Sequence, residues 1–114
     1  MKHQMGLYGE YFQSIKEGRK KVEVRLYDEK RREIQVGDII EFVKVPEQDD
    51  NLRVEVTGLH PYETFEAMYN DIPFEEFDCG GWTMEEMLDG PYSIYTKEQE
   101  KEWGVLAIRI KMDS

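Results

Sequence analysis

One cysteine, Cys79, stands in a chain of 114 residues. No disulfide can form within the chain. Only two histidines occur, His3 and His60, each distant in sequence from Cys79, so the spacing of a Cys/His zinc site is missing. No apolar run approaches the roughly 20 residues of a membrane span. The opening MKHQMGLYGE lacks the apolar centre of a secretion signal. A cytoplasmic protein without a membrane partner is the expectation. The chain also lacks repeats, low-complexity tracts, linkers, a phosphate-cradling glycine loop and any organic-cofactor motif. Its length suits one domain spanning 1–114.

What is present is charge and aromatic bulk. Charged residues make up 35% and the net charge is -10, while five Phe, seven Tyr and two Trp supply a core. The charge is uneven. Between residues 19 and 32, Arg19, Lys20, Lys21, Arg25, Lys30, Arg31 and Arg32 outnumber Glu23, Asp28 and Glu29 by four, which leaves -14 for the rest. An acidic body repels nucleic acid at long range and argues against a general non-specific binder. A local basic patch can still hold one phosphate or one short strand. It can equally be a solvated face that pairs with the acidic surface.

Leu7, Tyr11 and Ile15 recur at four-residue spacing, with Gly18 placed to cap, so a helix is expected over about 7–17. In KKVEVRLY, Val22, Val24 and Leu26 alternate with Lys21, Glu23 and Arg25. That is a half-buried strand with Glu23 and Arg25 together on its non-core face. A polar loop over 27–33 and the Gly37-Asp38 turn lead to strands at 39–45 and 52–59, expected to be antiparallel. Helical spacing returns at 62–70, and IPFEEFDCGG has room for a short helical turn. Thr83-x-x-Glu86 and Thr96-x-x-Gln99 are capping boxes, the first helix stopping at Gly90. The alternation of GVLAIRIKM marks a last strand. The order implies a sheet that curls and closes on itself with helices packed at one side.

The pattern Gly18-x-Lys20-x-x-Glu23-x-Arg25, then Gly37-Asp38 before an apolar strand, then Leu59-x-x-Tyr62-x-x-Phe65 opening a helix, then Gly104-Val105 to Ile108, resembles the ASCH domain, the activating-signal-cointegrator homology family. The likeness covers roughly residues 5 to 110, and KKVEVRLYDEKRREIQVGD looks like small stand-alone prokaryotic members. The resemblance implies an α+β, PUA-like fold: a curved β-barrel of about five to six mostly antiparallel strands with short flanking helices around a cleft. It also implies RNA or a modified nucleoside or nucleotide as ligand. One enzymatic branch is similar, and hydrolyses the acetyl amide of N4-acetylcytidine with a Lys, a Thr and a Glu. Lys20 matches its lysine, but Glu23 stands where its threonine falls. Its glutamate has no assigned counterpart near Gly80-Gly81, although Glu75, Glu76 and Asp78 precede that pair.

The candidate site therefore centres on Lys20, Glu23 and Arg25. Glu23 and Arg25 lie about 7 Å apart along a strand face. Arg25 can fork onto a phosphate or carboxylate. Glu23 can accept from an exocyclic amine. A desolvated Lys20 can act as base or nucleophile, which makes Lys20 and Glu23 the catalytic candidates for the hydrolytic alternative. The competing reading of Glu23 and Arg25 is a simple ion pair. Arg19 and Arg31 join as further ligand contacts, with Lys30, Arg31 and Arg32 forming either a phosphate-guiding loop or a solvated one. Tyr62 and Tyr27 are stacking candidates or core residues. Trp82 is a cleft-mouth candidate or a packing anchor, and His60 reads as structural. Three functions remain: a binding module, an amidohydrolase, and a protein-interaction domain whose acidic surface meets a basic partner.

Overall fold

The computed structural model describes residues 2–113. Five strands, β1 (Lys2–Tyr8), β2 (Val22–Leu26), β3 (Ile39–Val45), β4 (Asn51–Tyr62) and β5 (Val105–Met112), form one sheet in the order β1-β3-β4-β5-β2. β1 runs parallel to β3, and the other three pairings are antiparallel. The sheet curls into a half-barrel. A register shift between Val56 and Gly58 on β4 adds local bend and twist against β5. The expected closure is incomplete as a ladder: β1 and β2 are the two edges, and they meet through side chains.

Among the described residues four helices accompany the sheet: α1 (Gly9–Lys16), α2 (Phe65–Asp71), α3 (Met84–Tyr92) and α4 (Lys97–Trp103). Short 3-10 turns occupy Arg31–Glu33 and Phe74–Phe77, the second matching the turn expected in IPFEEFDCGG. Both capping boxes form, with the Thr83 and Thr96 hydroxyls accepting from the Glu86 and Gln99 amides. Two expectations are corrected. The first helix starts at Gly9, and Leu7 belongs instead to β1, where Met5 and Leu7 alternate inward. α3 does not stop at Gly90 but runs through Gly90 and Pro91 to Tyr92. A glycine in mid-helix costs only about 1 kcal/mol, so it weakens a helix without ending it.

Both faces of the sheet are apolar. On one face Leu106, Ile108 and Ile110 of β5 join Ile40, Phe42, Val54 and Val56, sealed by Phe12 and Ile15 of α1. On the other, Val105 and Ala107 join Val22 and Leu26 under Phe65, Met68 and Tyr69 of α2, Phe77, and Met87 of α3. β5 is therefore buried on both sides, not only at its alternate residues. Each fully buried large side chain contributes about 1.5–3 kcal/mol. These two packings hold β2 and β1 as facing edges, and α1 and α3 as the walls beside them.

Candidate functional site

Between the edge strands lies a cavity of about 430 Å³. β1 supplies Gly6, Leu7 and Tyr8; α1 supplies Tyr11; β2 with its approach supplies Lys20, Glu23, Val24 and Arg25. α3 and the residues after it supply Met87, Gly90, Pro91, Ile94 and Tyr95, and Trp82 stands just before that helix. Gly18, in the left-handed region at φ 79, ends α1 and turns the chain so that Lys20 enters β2 beside the cavity.

Lys20, Glu23 and Arg25 converge there. Glu23 and Arg25 share a strand face as expected, but that face is not solvated. The Glu23 side chain is 4% exposed, Lys20 10% and Arg25 14%. The face turns toward the opposite sheet edge and α1, so it is buried without belonging to either apolar cluster. Lys20 Nζ donates to Glu23 Oε1 at 3.0 Å, and the Val24 amide donates to the same oxygen. Arg25 Nε and Nη2 donate to Oε2 at 3.1 and 2.8 Å. Arg25 Nη2 also donates to the Gly6 carbonyl at 2.8 Å and so bridges the two edge strands. Lys20 Nζ sits 4.6 Å from the centre of the Tyr11 ring, a cation–π contact.

Burial alone would raise the Glu23 carboxyl, but the Lys20 and Arg25 charges and hydrogen bonds outweigh it and hold it at about 2. Glu23 is thus a fixed carboxylate with four donors on its two oxygens. The group carries one net positive charge: two cations against one anion. Burial pushes the Cys79 thiol up despite Lys20, so the cavity's sulfur stays protonated. Burial likewise raises the phenols of Tyr11, Tyr69 and Tyr95.

The other sequence candidates lie elsewhere, with one exception. Trp82 lines the cavity and is 49% exposed at its mouth, near exposed Tyr8 and Ile94. Arg19 points outward and pairs with Glu17 and with Asp78 at 2.6 Å. Arg31 pairs with Asp28 at 3.1 Å in the 3-10 turn. Arg32 lies over the Tyr27 ring and donates to the Tyr27 and Trp103 carbonyls, so Arg31 and Arg32 are both held away from the cavity. Tyr62 lines a second, separate hollow and donates to Asp71 at 2.6 Å. His60 is exposed on β4, and His3 pairs with Asp38 at 2.9 Å. Glu76 pairs with Arg109, and Asp78 accepts from Ser14 and Arg19. Among the described residues lining the cavity, Glu23 is the one carboxylate, and no threonine or serine lines it.

Sequence reasoning missed Gly6, Tyr69, Cys79, Ile94 and Tyr95. Tyr11 carried a signal as a helix-face residue, but its partnership with Lys20 had none. Among the described residues no group of three or more His, Cys, Asp or Glu is placed to hold a metal ion. No helix among them is long and apolar enough to cross a membrane.

A helix, then the strand that carries Glu23 and Arg25, and a closing Gly-Val strand follow the order that the resemblance implied, whereas β1 before the helix was not expected. The ASCH domain family model matches residues 5–113. The chain belongs to the ASCH domain family. Its PUA-like α+β fold recurs in solved structures. It is similar to the hypothetical protein PH0355, at 42% identity, over 99% of this chain and 100% of that one, with a TM-score of 0.88. It is similar to PF0455 from Pyrococcus furiosus, at 38% identity, over 98% and 97%, with a TM-score of 0.77. A variant of the Zymomonas mobilis ASCH protein shares the fold at 14% identity, over 95% of this chain and 66% of that one, with a TM-score of 0.67. No curated protein matches the chain.

Proposed function

We propose that this ASCH domain is a binding module for a single nucleoside or nucleotide unit, free or at an accessible position in RNA. The observation that carries it is the buried Lys20–Glu23–Arg25 group set in a cavity with an aromatic mouth. A volume of about 430 Å³ suits one such unit. Tyr8, Tyr11, Trp82 and Tyr95 offer flat faces for a base, and stacking is sequence-tolerant and strong. The two cations supply charged donors in fixed positions. The acidic remainder of the surface counts against long RNA, because most phosphates would meet like charge.

Hydrolysis finds less support. A carboxylate held near 2 is a weak general base, and Glu23 has its oxygens occupied. Neither the threonine nor the second glutamate of the similar enzymatic branch has a counterpart lining the cavity.

The test is calorimetric titration of the protein with nucleosides, nucleoside monophosphates and short single-stranded RNA, with chromatography of the same mixtures. Saturable binding without product is expected, weakened about five- to 150-fold by Trp82→Ala. Absence of binding to all three ligand classes would overturn the reading. Deacetylation of N4-acetylcytidine, lost in Lys20→Ala, would replace it with an amidohydrolase.

A further inference from the structure

Resting on that binding reading, we propose that the cavity selects a base by its carbonyl oxygens: it takes an oxo base of the uracil or hypoxanthine kind in preference to the matching amino base, cytosine or adenine. Glu23 acts here as a positioning residue and not as a reader of amines.

Hydrogen-bond capacity sets the first limit. An ionised carboxylate has about four acceptor positions. Glu23 uses them on Lys20 Nζ, the Val24 amide, and Arg25 Nε and Nη2. An incoming exocyclic amine would have to displace one of these charge-assisted bonds. The cations retain unused donors. Lys20 has three N–H groups and makes one hydrogen bond, to Glu23. Arg25 commits Nε and Nη2, while Nη1 has no partner among the described residues. The pre-oriented charged groups left to a ligand are therefore donors, and they call for acceptors.

Charge sets the second limit. The group is one positive charge in excess, and the wall around it is largely apolar: Leu7, Val24, Val45, Phe77 and Met87. A phosphate dianion placed against it would turn that excess into one negative charge and would have to shed its own strong hydration to enter. A neutral base with carbonyl oxygens brings no charge to desolvate. The base edge, not the phosphate, thus belongs at the buried end, with the base's face against the aromatic rings and the sugar and phosphate directed outward through the mouth. An amine turned onto Lys20 or Arg25 would set donor against donor and leave buried donors unpaired, the kind of mismatch that sites use to reject an analogue.

Uridine against cytidine, and inosine against adenosine, change the oxo group to an amine with little change of shape. Calorimetric titration of the native protein with all four is the experiment, with uridine 5′-monophosphate as a fifth ligand. The oxo member of each pair is expected to bind about tenfold tighter or more. Uridine and its monophosphate should bind within a few fold of each other. In Glu23→Gln, whose fold is checked by circular dichroism, the uridine-to-cytidine ratio should fall toward one, a change that simple destabilisation would not produce. Equal or tighter binding of cytidine and adenosine would overturn the inference while leaving the binding reading intact. Binding of the monophosphate alone would overturn the base-inward orientation. No binding by any of the five, or by short RNA, would remove the binding reading itself.

Discussion

Arg25 Nη2 donates to the Gly6 carbonyl at 2.8 Å, joining two edge strands that no backbone ladder connects among the described residues. The same guanidinium holds Glu23 through two nitrogens. One side chain thus closes the seam of the half-barrel and shapes the cavity that the seam contains.

Removing that side chain should loosen both. Arg25→Met leaves Glu23 Oε2 and the Gly6 carbonyl without their donor in a mostly buried setting. The expected cost is about 3 kcal/mol, the scale for breaking a buried pair from one side. Arg25→Lys keeps the charge but loses the fork, and should fall between the variant and the native protein. Urea unfolding measures the totals. Hydrogen exchange should quicken in β1 more than in β4, because β1 loses a tie while β4 keeps both neighbours. Uniform exchange would separate the seam from the Arg25 contact.

Much of this site was legible in the sequence, and its limits are instructive. Glu23 and Arg25 stood at strand spacing, so a period of two was enough to pair them; Lys20, three residues before Glu23 and ahead of β2, joined them through the family resemblance and not through that period. The same period could not say what the face looked at. It faces the other edge of a curled sheet, an arrangement set by pairings between residues as distant in sequence as Val22 and Arg109. β1 was hidden for a related reason. Leu7 fits a helical series with Tyr11 and Ile15, and its strand alternation with Met5 is too short to compete until parallel pairing with β3 is known. Ile94 and Tyr95 follow α3 in a short polar connection and carry no periodic signal. Arg19, Arg31 and Arg32 were grouped with Lys20 by charge, yet Asp78, Asp28 and the Tyr27 carbonyl claim them.

The acid side of the stability profile should report Glu23. Its folded value of about 2 lies below the ordinary 4.5, because Lys20 and Arg25 outweigh burial. A depressed carboxyl contributes stability that is complete above about pH 4.5 and lost as pH falls toward 2. The size is of the order of 3 kcal/mol. Asp38, held near 2 by its hydrogen bond to His3, behaves alike and remains in any Glu23 variant. Glu23→Gln should therefore be less stable than the native protein at pH 7, with the gap narrowing between pH 4.5 and 2. Denaturation midpoints across that range measure it. A constant gap would show that the pairing does not depend on the Glu23 charge.

Trp82 and Tyr62 make a contrasting pair. Trp82 is half exposed at the cavity mouth, so Trp82→Ala should change stability by no more than about 0.5 kcal/mol. Ligand affinity should nonetheless drop about five- to 150-fold, the range for losing one stacking platform. Tyr62→Phe does the reverse. It removes the hydrogen bond to Asp71, at a cost of up to about 1 kcal/mol, and leaves affinity unchanged because Tyr62 borders the other hollow. Affinity loss in Tyr62→Phe would place the ligand somewhere other than the seam.

Two glycines should respond to alanine with opposite signs. Gly104 ends α4 at φ 76 and ψ -173, a region open essentially to glycine alone. A Cβ there would also meet the Tyr62 carbonyl at 3.0 Å, and backbone cannot swing aside as a side chain can. Gly104→Ala should cost more than about 1 kcal/mol. Its position makes the strain consequential, since it launches β5, the strand buried on both faces that carries both cores. Gly90 lies inside α3, and a Cβ at that position meets nothing within 4 Å. Gly90→Ala should stabilise the protein by about 0.5–1 kcal/mol through helix propensity and a less mobile unfolded chain. Thermal unfolding of the two variants beside the native protein decides both. Destabilisation by Gly90→Ala would mean that the cavity wall needs the open space that glycine leaves, and ligand titration of that variant would then show a matching loss of affinity.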